Sequence, residues 1–451
     1  MKELDLVTKI VLEEVEKIAR EHSMKTYLVG GFVRDWLLER ETKDIDLATD
    51  GDPLLLANDI ASQLGGKIIV MNGYRVIRCL LPGRIQVDVS SLNGSIEEDM
   101  ARRDFTANAL AVPLDDLNTL IDPFNGKKDI EDKVLRMVSE EAFLEDPLRM
   151  LRAIRLAAVL GFTIEEQTKE AIRRNAPLIT QAPPERIKEE LFLLSRVTPC
   201  YSYFYLMEEL GLLMGILPEL SALKGVVQDG EDVFEHSVET LKHLEELLAE
   251  DFADVKLDSK DQFLLKLGAL VHDVGKFATR RVEPDGTVRF IGHDVLGETM
   301  MRELGRRLRL SKKDVKTLRR LVRHHLRPSF LSHFGELSHR VVFRFFQDLK
   351  EDAIALLLLS YADRLATKKV SPEDLEKHKQ LTLKLIDEAK KEGRRPRRLL
   401  SGRDIVQEFG SLPGPTIGRL LRLAEEAYAE GLISTKEEAL DFVRRLIDEE
   451  S

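Results

Sequence analysis

The spacing of apolar residues changes character along the chain. At the start, LVTKIVLEEVEKIAR repeats apolar positions with a 3.6-residue period and predicts an amphipathic helix. Short apolar runs then alternate with helical stretches. TYLVGG reads as a strand, Phe32 to Leu38 as a helix, KDIDLAT as a strand and ASQLGG as a helix end; IIVMNGYRVIRCLL reads as a strand pair and RIQVDVSSL as a further strand. Residues 1–135 therefore predict an α/β head. From about Val134 the β-branched runs thin out, Leu, Arg, Glu and Lys dominate, and the remainder reads as helical almost throughout. Eight of the ten histidines fall between His236 and His339, and none lies between 23 and 235. That segregation marks a module over 226–370, between a helical body over 136–225 and a polar helical tail over 371–451. No internal repeat or low-complexity linker separates these parts.

Composition bounds the class. A length of 451 residues predicts about three units. With 43% hydrophobic and 33% charged residues the chain is too apolar to be disordered. Cys79 and Cys200 are the two cysteines, which excludes a disulfide framework or a thiolate zinc site. The charged amphipathic start does not read as a signal peptide, and no run approaches the ~18 apolar residues of a membrane span; a cytoplasmic protein without membrane contact is expected. The net charge of -11 weighs against nucleic acid as a partner, but local patches decide that question.

The strongest local signal is LVGGFVRDWLLERETKDIDLATD. Gly30 and Gly31 close a strand and open a helix, where free N–H groups and the helix dipole can hold a triphosphate. Asp44 and Asp46 lie two apart on a predicted strand, so both carboxylates share a face. Two adjacent anions call for a cation, and hard oxygen ligands with room for phosphate suit Mg²⁺. Asp88, in IQVDV, is a third carboxylate available from a neighbouring strand. The set matches two-metal phosphoryl transfer.

With the motifs that follow, the sequence resembles the class II tRNA nucleotidyltransferases, the CCA-adding enzymes and bacterial poly(A) polymerases of the polymerase-β superfamily. LVGGFVRDWLL with KDIDLAT resembles the first family motif, ARRDFTANALAV the second, IDPFNGKKDI the third, EDPLRMLRAIRLAA the fourth and PPERIKEEL the fifth, in family order. The resemblance implies an α/β nucleotidyltransferase head, a mixed sheet with helices, followed by all-α neck, HD and tail domains. It implies that Asp44 and Asp46 bind Mg²⁺, with Asp88 where the family has a third carboxylate, often Glu. Gly30, Gly31 and Arg34 would belong to the nucleotide-binding turn. Arg103, Asp104 and Asn108 match residues that grip the incoming ribose. Asp146 and Arg149, three apart on a predicted helix, would share one face and satisfy the Watson–Crick edge of cytosine or adenine but not uracil or guanine. Arg152 and Arg155 would continue that face toward phosphate or primer, whereas Glu185 and Arg186 would brace the neck helices. Only thirteen residues, 89–101, separate Asp88 from Arg102. Full CCA-adding members commonly carry a longer flexible loop there that helps switch from CTP to ATP, and CC-adding members lack it, so a CC-adding enzyme with a separate A-adding partner is expected.

From 236 onward, His236, His272 with Asp273 in LVHDVGK, His293, the pair His324 and His325, and Asp363 resemble the HD metal-dependent phosphohydrolases. The resemblance implies a site of His236, His272, Asp273 and Asp363, extended to a second metal by His293 and one of His324 or His325, with His324 preferred. Imidazole and carboxylate suit Mn, Fe, Ni or Zn. Some bacterial nucleotidyltransferases carry such a domain with phosphatase or 2′,3′-cyclic phosphodiesterase activity on tRNA ends. RRLRLSKKDVKTLRRLVRHHLRP and KKEGRRPRRLL predict a basic track for RNA phosphates, and SGRDIVQEFGSLPGPTIGRLLRLAEEAYAEGLISTKEEAL resembles the family's tRNA-supporting tail. The expected partners are tRNA, CTP and ATP. The rival readings are a poly(A) polymerase, disfavoured by the HD module; an RNA-processing phosphohydrolase whose head only binds nucleotide; and a non-catalytic RNA-binding protein.

Overall fold

The computed structural model describes residues 4–71, 76–92, 94–391 and 399–450. The turn of the predicted strand pair (72–75), Asn93 and most of the basic run at 390–398 lie outside the described residues. The chain forms two compact units, 1–197 with 203–216, and 198–202 with 217–451.

In the first unit, α1 (Leu6–Glu21) is started by Asp5, whose carboxylate accepts the N–H groups of Val7 and Thr8. There follow β1 (Thr26–Val29), α2 (Gly30–Leu37), β2 (Asp44–Thr49), α3 (Pro53–Gln63), β3 (Lys67–Met71), β4 (Val76–Leu81), β5 (Ile85–Ser91), α4 (Ile96–Ala101) and β6 (Ala111–Pro113). The sheet is mixed, in the order β3-β4-β5-β2-β1-β6, with β2 and β5 parallel and the other pairs antiparallel. Period-2 alternation sets its faces. Ile85, Val87 and Val89 are buried with Ile45 and Leu47, each side chain contributing about 1.5–3 kcal/mol of transfer free energy. The intervening Asp88, Asp44 and Asp46 are thereby turned to the opposite face. The head passes into α5 (Gly126–Glu131), α6 (Glu141–Glu145), α7 (Leu148–Leu160), α8 (Glu166–Asn175) and α9 (Pro184–Ser195). Arg40 of the head covers the carbonyl end of α7, donating Nη1 to Val159 O at 3.1 Å and Nη2 to Leu160 O at 3.4 Å.

The second unit is helical apart from two-residue strand pairs. Its core joins the helices Val233–Ala249, Ser259–Val271, Lys312–His324 and Ala353–Ala366 through buried Leu241, Leu244, Leu265, Leu321 and Leu358. Among the described residues no helix is long and apolar enough to cross a membrane. In the first stretch of the predicted basic track four arginines are neutralised within the protein: Arg307 pairs with Glu219, Arg319 with Glu298, Arg320 with Asp352 and Arg323 with Asp294.

The tail helices Gly402–Phe409, Gly414–Ala429 and Lys436–Glu450 close around Ile405, Leu420, Ala439 and Val443. They dock on the helix His339–Leu349 through one buried carboxylate, Glu426, which accepts Arg344 Nε at 2.7 Å, Arg344 Nη2 at 2.7 Å and Arg340 Nε at 3.0 Å. The Arg344 hydrogen bonds hold the Glu426 carboxyl below its usual range. A carboxyl depressed in the folded state contributes stability above its unfolded pKa, about 4.3, and that stability is lost as pH falls through the lower folded value. Glu426→Gln is expected to cost about 1–2 kcal/mol in urea unfolding at pH 7. The difference from the parent should shrink as both are acidified below about pH 4; an undiminished difference at low pH would assign the loss to packing instead.

Candidate functional site

In the head, the parallel register sets Asp46 of β2 directly opposite Asp88 of β5. Gly30 lies at φ +65°, and a Cβ there would sit 2.6 Å from Arg103 Nη1 and 3.4 Å from Asp46 Oδ2. Only glycine lets the guanidinium and the carboxylate close on this turn. The Phe32 N–H at the start of α2 also hydrogen-bonds Asp46. Burial pushes the Asp46 carboxyl up, Arg103 opposes the rise and Asp88 adds to it. Asp46 is thus short of positive charge, and hard oxygen donors of this kind fit Mg²⁺. Asp88 differs from the expectation in being held by a protein cation: it accepts Arg78 Nε at 2.9 Å and Nη2 at 2.8 Å.

Four of the residues expected around the nucleotide, Arg34, Asn108, Asp104 and Arg152, form one continuous polar chain. Buried Arg34 donates Nη1 to Asn108 Oδ1 at 2.6 Å and Nε to Asp35 at 2.9 Å. Asn108 Nδ2 donates to Asp104 Oδ1 at 2.9 Å, and Asp104 Oδ2 lies 2.7 Å from Arg152 Nε. Burial pushes the Asp104 carboxyl up, but Arg152 and the hydrogen bonds from Asn108 and Phe105 outweigh it and leave it below the usual range. Arg103 also donates to Asp99 at 3.1 Å.

The neck corrects two expectations. Asp146 does not lie on a helix with Arg149; it is extended, at φ -142° and ψ 94°, just after α6. Pro147 is the cause, because its ring disfavours the helical region for the residue before it. Asp146 Oδ1 accepts the Leu148 N–H at 3.1 Å and Oδ2 accepts Arg186 Nη2 at 2.8 Å, while Arg149 donates Nη1 to Ala142 O at 3.1 Å. Neither the shared face nor a direct Asp146–Arg149 ion pair forms. Arg155, expected near phosphate or primer, instead donates Nε to Glu190 at 2.5 Å and clamps α7 to α9. Arg186 of α9, expected as a brace, does tie α9 to the segment before α7, and it does so through the candidate base contact Asp146.

The second unit gathers His236, His272, Asp273, His293, His325 and Asp363. His236 Nε2 lies 2.9 Å from Asp363 Oδ1. His272 Nε2 lies 3.2 Å from Asp273 Oδ2, and His293 Nε2 lies 3.4 Å from Asp273 Oδ1. His272, His293 and His325 each direct Nδ1 at a backbone carbonyl, those of Ala269, Phe290 and Val322, at 2.7–2.8 Å. A carbonyl only accepts, so Nδ1 carries a proton, and in the neutral ring Nε2 presents a lone pair to the centre. His293 Nε2 and His325 Nε2 then face each other at 3.3 Å with lone pairs opposed, and the buried His272 Nε2 and Asp273 Oδ1 have no hydrogen-bond partner. A cation resolves all three. The donor atoms group as His236, His272, Asp363 and as Asp273, His293, His325, each trio within 4.8 Å, which fits divalent transition metals. His324 is in neither trio, correcting the expectation. Adjacent residues on a helix point about 100° apart, and of this pair it is the buried His325 that faces the centre.

Electrostatics follow the crowding. Burial lowers the basicity of His272, but Asp273 and Asp363 override it and raise it to about 10, so that its Nε2 holds a proton which a cation in the centre would displace to reach the lone pair, whereas burial and the neighbouring His272 bring His325 down to about 4. Lys276 also pairs with Asp273. Gly275 between them is required, since a Cβ there would fall 2.0 Å from His293 O.

Three protein families match the chain: the Poly A polymerase head domain over residues 26–136, the probable RNA and SrmB-binding site of polymerase A over 161–224, and the HD domain over 233–368. The chain is 36% identical over 435 residues to the A-adding tRNA nucleotidyltransferase of Deinococcus radiodurans, covering 94% of this chain and 95% of that one. It is also 36% identical over 427 residues to the CC-adding tRNA nucleotidyltransferase of Thermus thermophilus, covering 92% of each. The Thermotoga maritima CCA-adding enzyme complexed with tRNA superposes with a TM-score of 0.64 at 21% identity, covering 98% of this chain and 96% of that one. A CCA-adding enzyme with CTP superposes with a TM-score of 0.68 at 21% identity and the same coverage. These two structural likenesses bear on the fold.

Proposed function

The chain belongs to the tRNA nucleotidyltransferase family, and from that premise we propose that it adds two cytidines to the tRNA 3′ end and leaves the final A to a separate A-adding enzyme. In this reading the terminal 3′-hydroxyl attacks the α-phosphate of CTP, the P–O bond to the β-phosphate breaks, and pyrophosphate leaves. Asp44 and Asp46 hold Mg²⁺, which when bound activates the hydroxyl and offsets charge on the leaving group. The start of α2 and Gly30 support the triphosphate, Arg103 and the Arg34–Asn108–Asp104–Arg152 chain fix the ribose, and Asp146 with Arg149 reads the base. Asp88 is available to the same centre once Arg78 yields it.

The observation that carries the CC reading is the short path from β5 to α4. The strand ends at Ser91, and α4 starts at Ile96 behind a capping box in which Ser95 and Glu98 bond each other's backbone N–H. This leaves no place for the long loop that helps full CCA-adding members change from CTP to ATP. A tRNA transcript lacking its CCA end, incubated with Mg²⁺, CTP and ATP and sequenced at the 3′ end, should stop at CC. A clean CCA end, addition of A to a CC end alone, or a poly(A) tract would each refute it.

The histidine cluster favours a second activity. We propose that the HD site holds Mn, Ni or Fe and uses water either to remove a 3′-phosphate as inorganic phosphate or to open a 2′,3′-cyclic phosphate at its bond to the 3′-oxygen, leaving a 2′-phosphate; either cleavage would free the 3′-hydroxyl needed for addition.

A further inference from the structure

We infer that Arg186 is a positioning residue for base choice: it fixes the carboxylate of Asp146 in the orientation that accepts the exocyclic amino group of cytosine and opposes the carbonyl of uracil. The inference rests on the reading of Asp146 as the base contact.

Pro147 keeps Asp146 out of α7, so its carboxylate is not placed by a helical backbone of its own. Two donors orient it: the Leu148 N–H at the start of α7 on Oδ1 and Arg186 Nη2 on Oδ2, at 3.1 and 2.8 Å. The backbone amide alone would leave the second oxygen free to swing. Arg186 stands in the first turn of α9, where a cation opposes the helix dipole and gives the helix nothing. Nor does the packing of α7 on α9 depend on it, because that contact already has the more enclosed Arg155–Glu190 pair, with side chains 14% and 10% exposed against 52% for Arg186. What remains for this long, half-exposed side chain is the orientation of Asp146. An ionised carboxylate only accepts hydrogen bonds. With one bond on each oxygen from the protein, its remaining lone pairs meet the cytosine N4 amino group favourably and the uracil O4 carbonyl as like charge against like.

The test is single-nucleotide addition of CTP and of UTP to a tRNA primer by the full chain, comparing kcat/KM for the parent, Arg186→Ala, Arg186→Lys and Asp146→Ala, with melting temperatures alongside. Arg186→Ala should reduce the CTP-over-UTP preference by about tenfold, the scale of one lost base-reading hydrogen bond. Arg186→Lys, which keeps a single charged donor, should recover part of the preference. A brace alone would lower the melting temperature and slow both nucleotides equally, and an unchanged ratio in Arg186→Ala beside a collapsed ratio in Asp146→Ala overturns the inference while sparing the reading of Asp146. An unchanged ratio in Asp146→Ala removes that reading and the inference with it. If Arg186→Ala does not fold, Arg186→Met, which keeps the stem and removes the donors, decides: full parental preference at a reduced melting temperature also overturns the inference.

Discussion

Asp46→Asn is expected to reduce kcat for CMP addition on the order of 10³-fold, the scale seen when one preorganised electrostatic group is removed from a reaction centre. The same variant should melt at or above the parent's temperature when both are stripped of divalent ions. The two effects share one cause. Asp46 is half-buried opposite Asp88, and desolvation and that neighbour raise its carboxyl while Arg103 only partly compensates. A carboxyl raised in the folded state makes folding less favourable as pH climbs from the unfolded pKa, about 3.9, through the folded value, so at neutral pH it works against stability. Asparagine removes the charge yet keeps an oxygen for the Phe32 N–H. Mg²⁺ should therefore raise the melting temperature of the parent and leave that of Asp46→Asn nearly unchanged. Activity within tenfold of the parent would place the reaction centre elsewhere and leave the head as a nucleotide-binding platform for an RNA-processing hydrolase.

The fold class was legible because apolar periodicity is a local property: IQVDVSS and DIDLAT show alternation over six or seven residues, and the sheet follows it. The pairing of Asp46 with Asp88 was less so, because it depends on a parallel crossover that brings β5 beside β2. For Asp146 the sequence did hold the answer. Pro147 bars the preceding residue from the helical region, and a helix drawn through EDPLRM overlooks it. Arg186 also had a signal, a cation in the first turn of a helix whose dipole disfavours it. The choice between His324 and His325 had none, since adjacent histidines differ only in which side of the helix is covered. The basic stretch from Arg306 onward misleads for the opposite reason. Glu219, Glu298, Asp294 and Asp352, which neutralise its arginines, come from other helices and turns of the unit, so a charge run that looks open to phosphate is substantially closed within the protein.

Asp273→Asn is expected to empty the histidine cluster, with bound transition metal, read by elemental analysis after dialysis, falling at least tenfold, the lower end of what disturbing a metal's surroundings costs. Asp273 faces the largest share of the centre, with Oδ2 toward His272 and Lys276 and Oδ1 toward His293 and His325. An amide presents only one acceptor oxygen and turns its NH₂ donors toward Nε2 lone pairs or the lysine ammonium. Burial pushes the Asp273 carboxyl up, but Lys276 and His272 hold it well below its usual value. It therefore contributes stability above its unfolded pKa that is lost only as pH falls through the lower folded one. At pH 7 the variant forfeits that contribution and leaves Lys276 buried without its partner, a loss of about 3–5 kcal/mol. Hydrolysis of a 2′,3′-cyclic phosphate end should fall with the metal, while CMP addition to a tRNA already bearing a 3′-hydroxyl persists wherever the variant is folded. His324→Ala is the control, and it should retain the parent's metal because its ring belongs to neither trio. Metal retained by Asp273→Asn but lost from His324→Ala would mean that the other histidine supplies the ligand and that the cluster binds its ion from a different side.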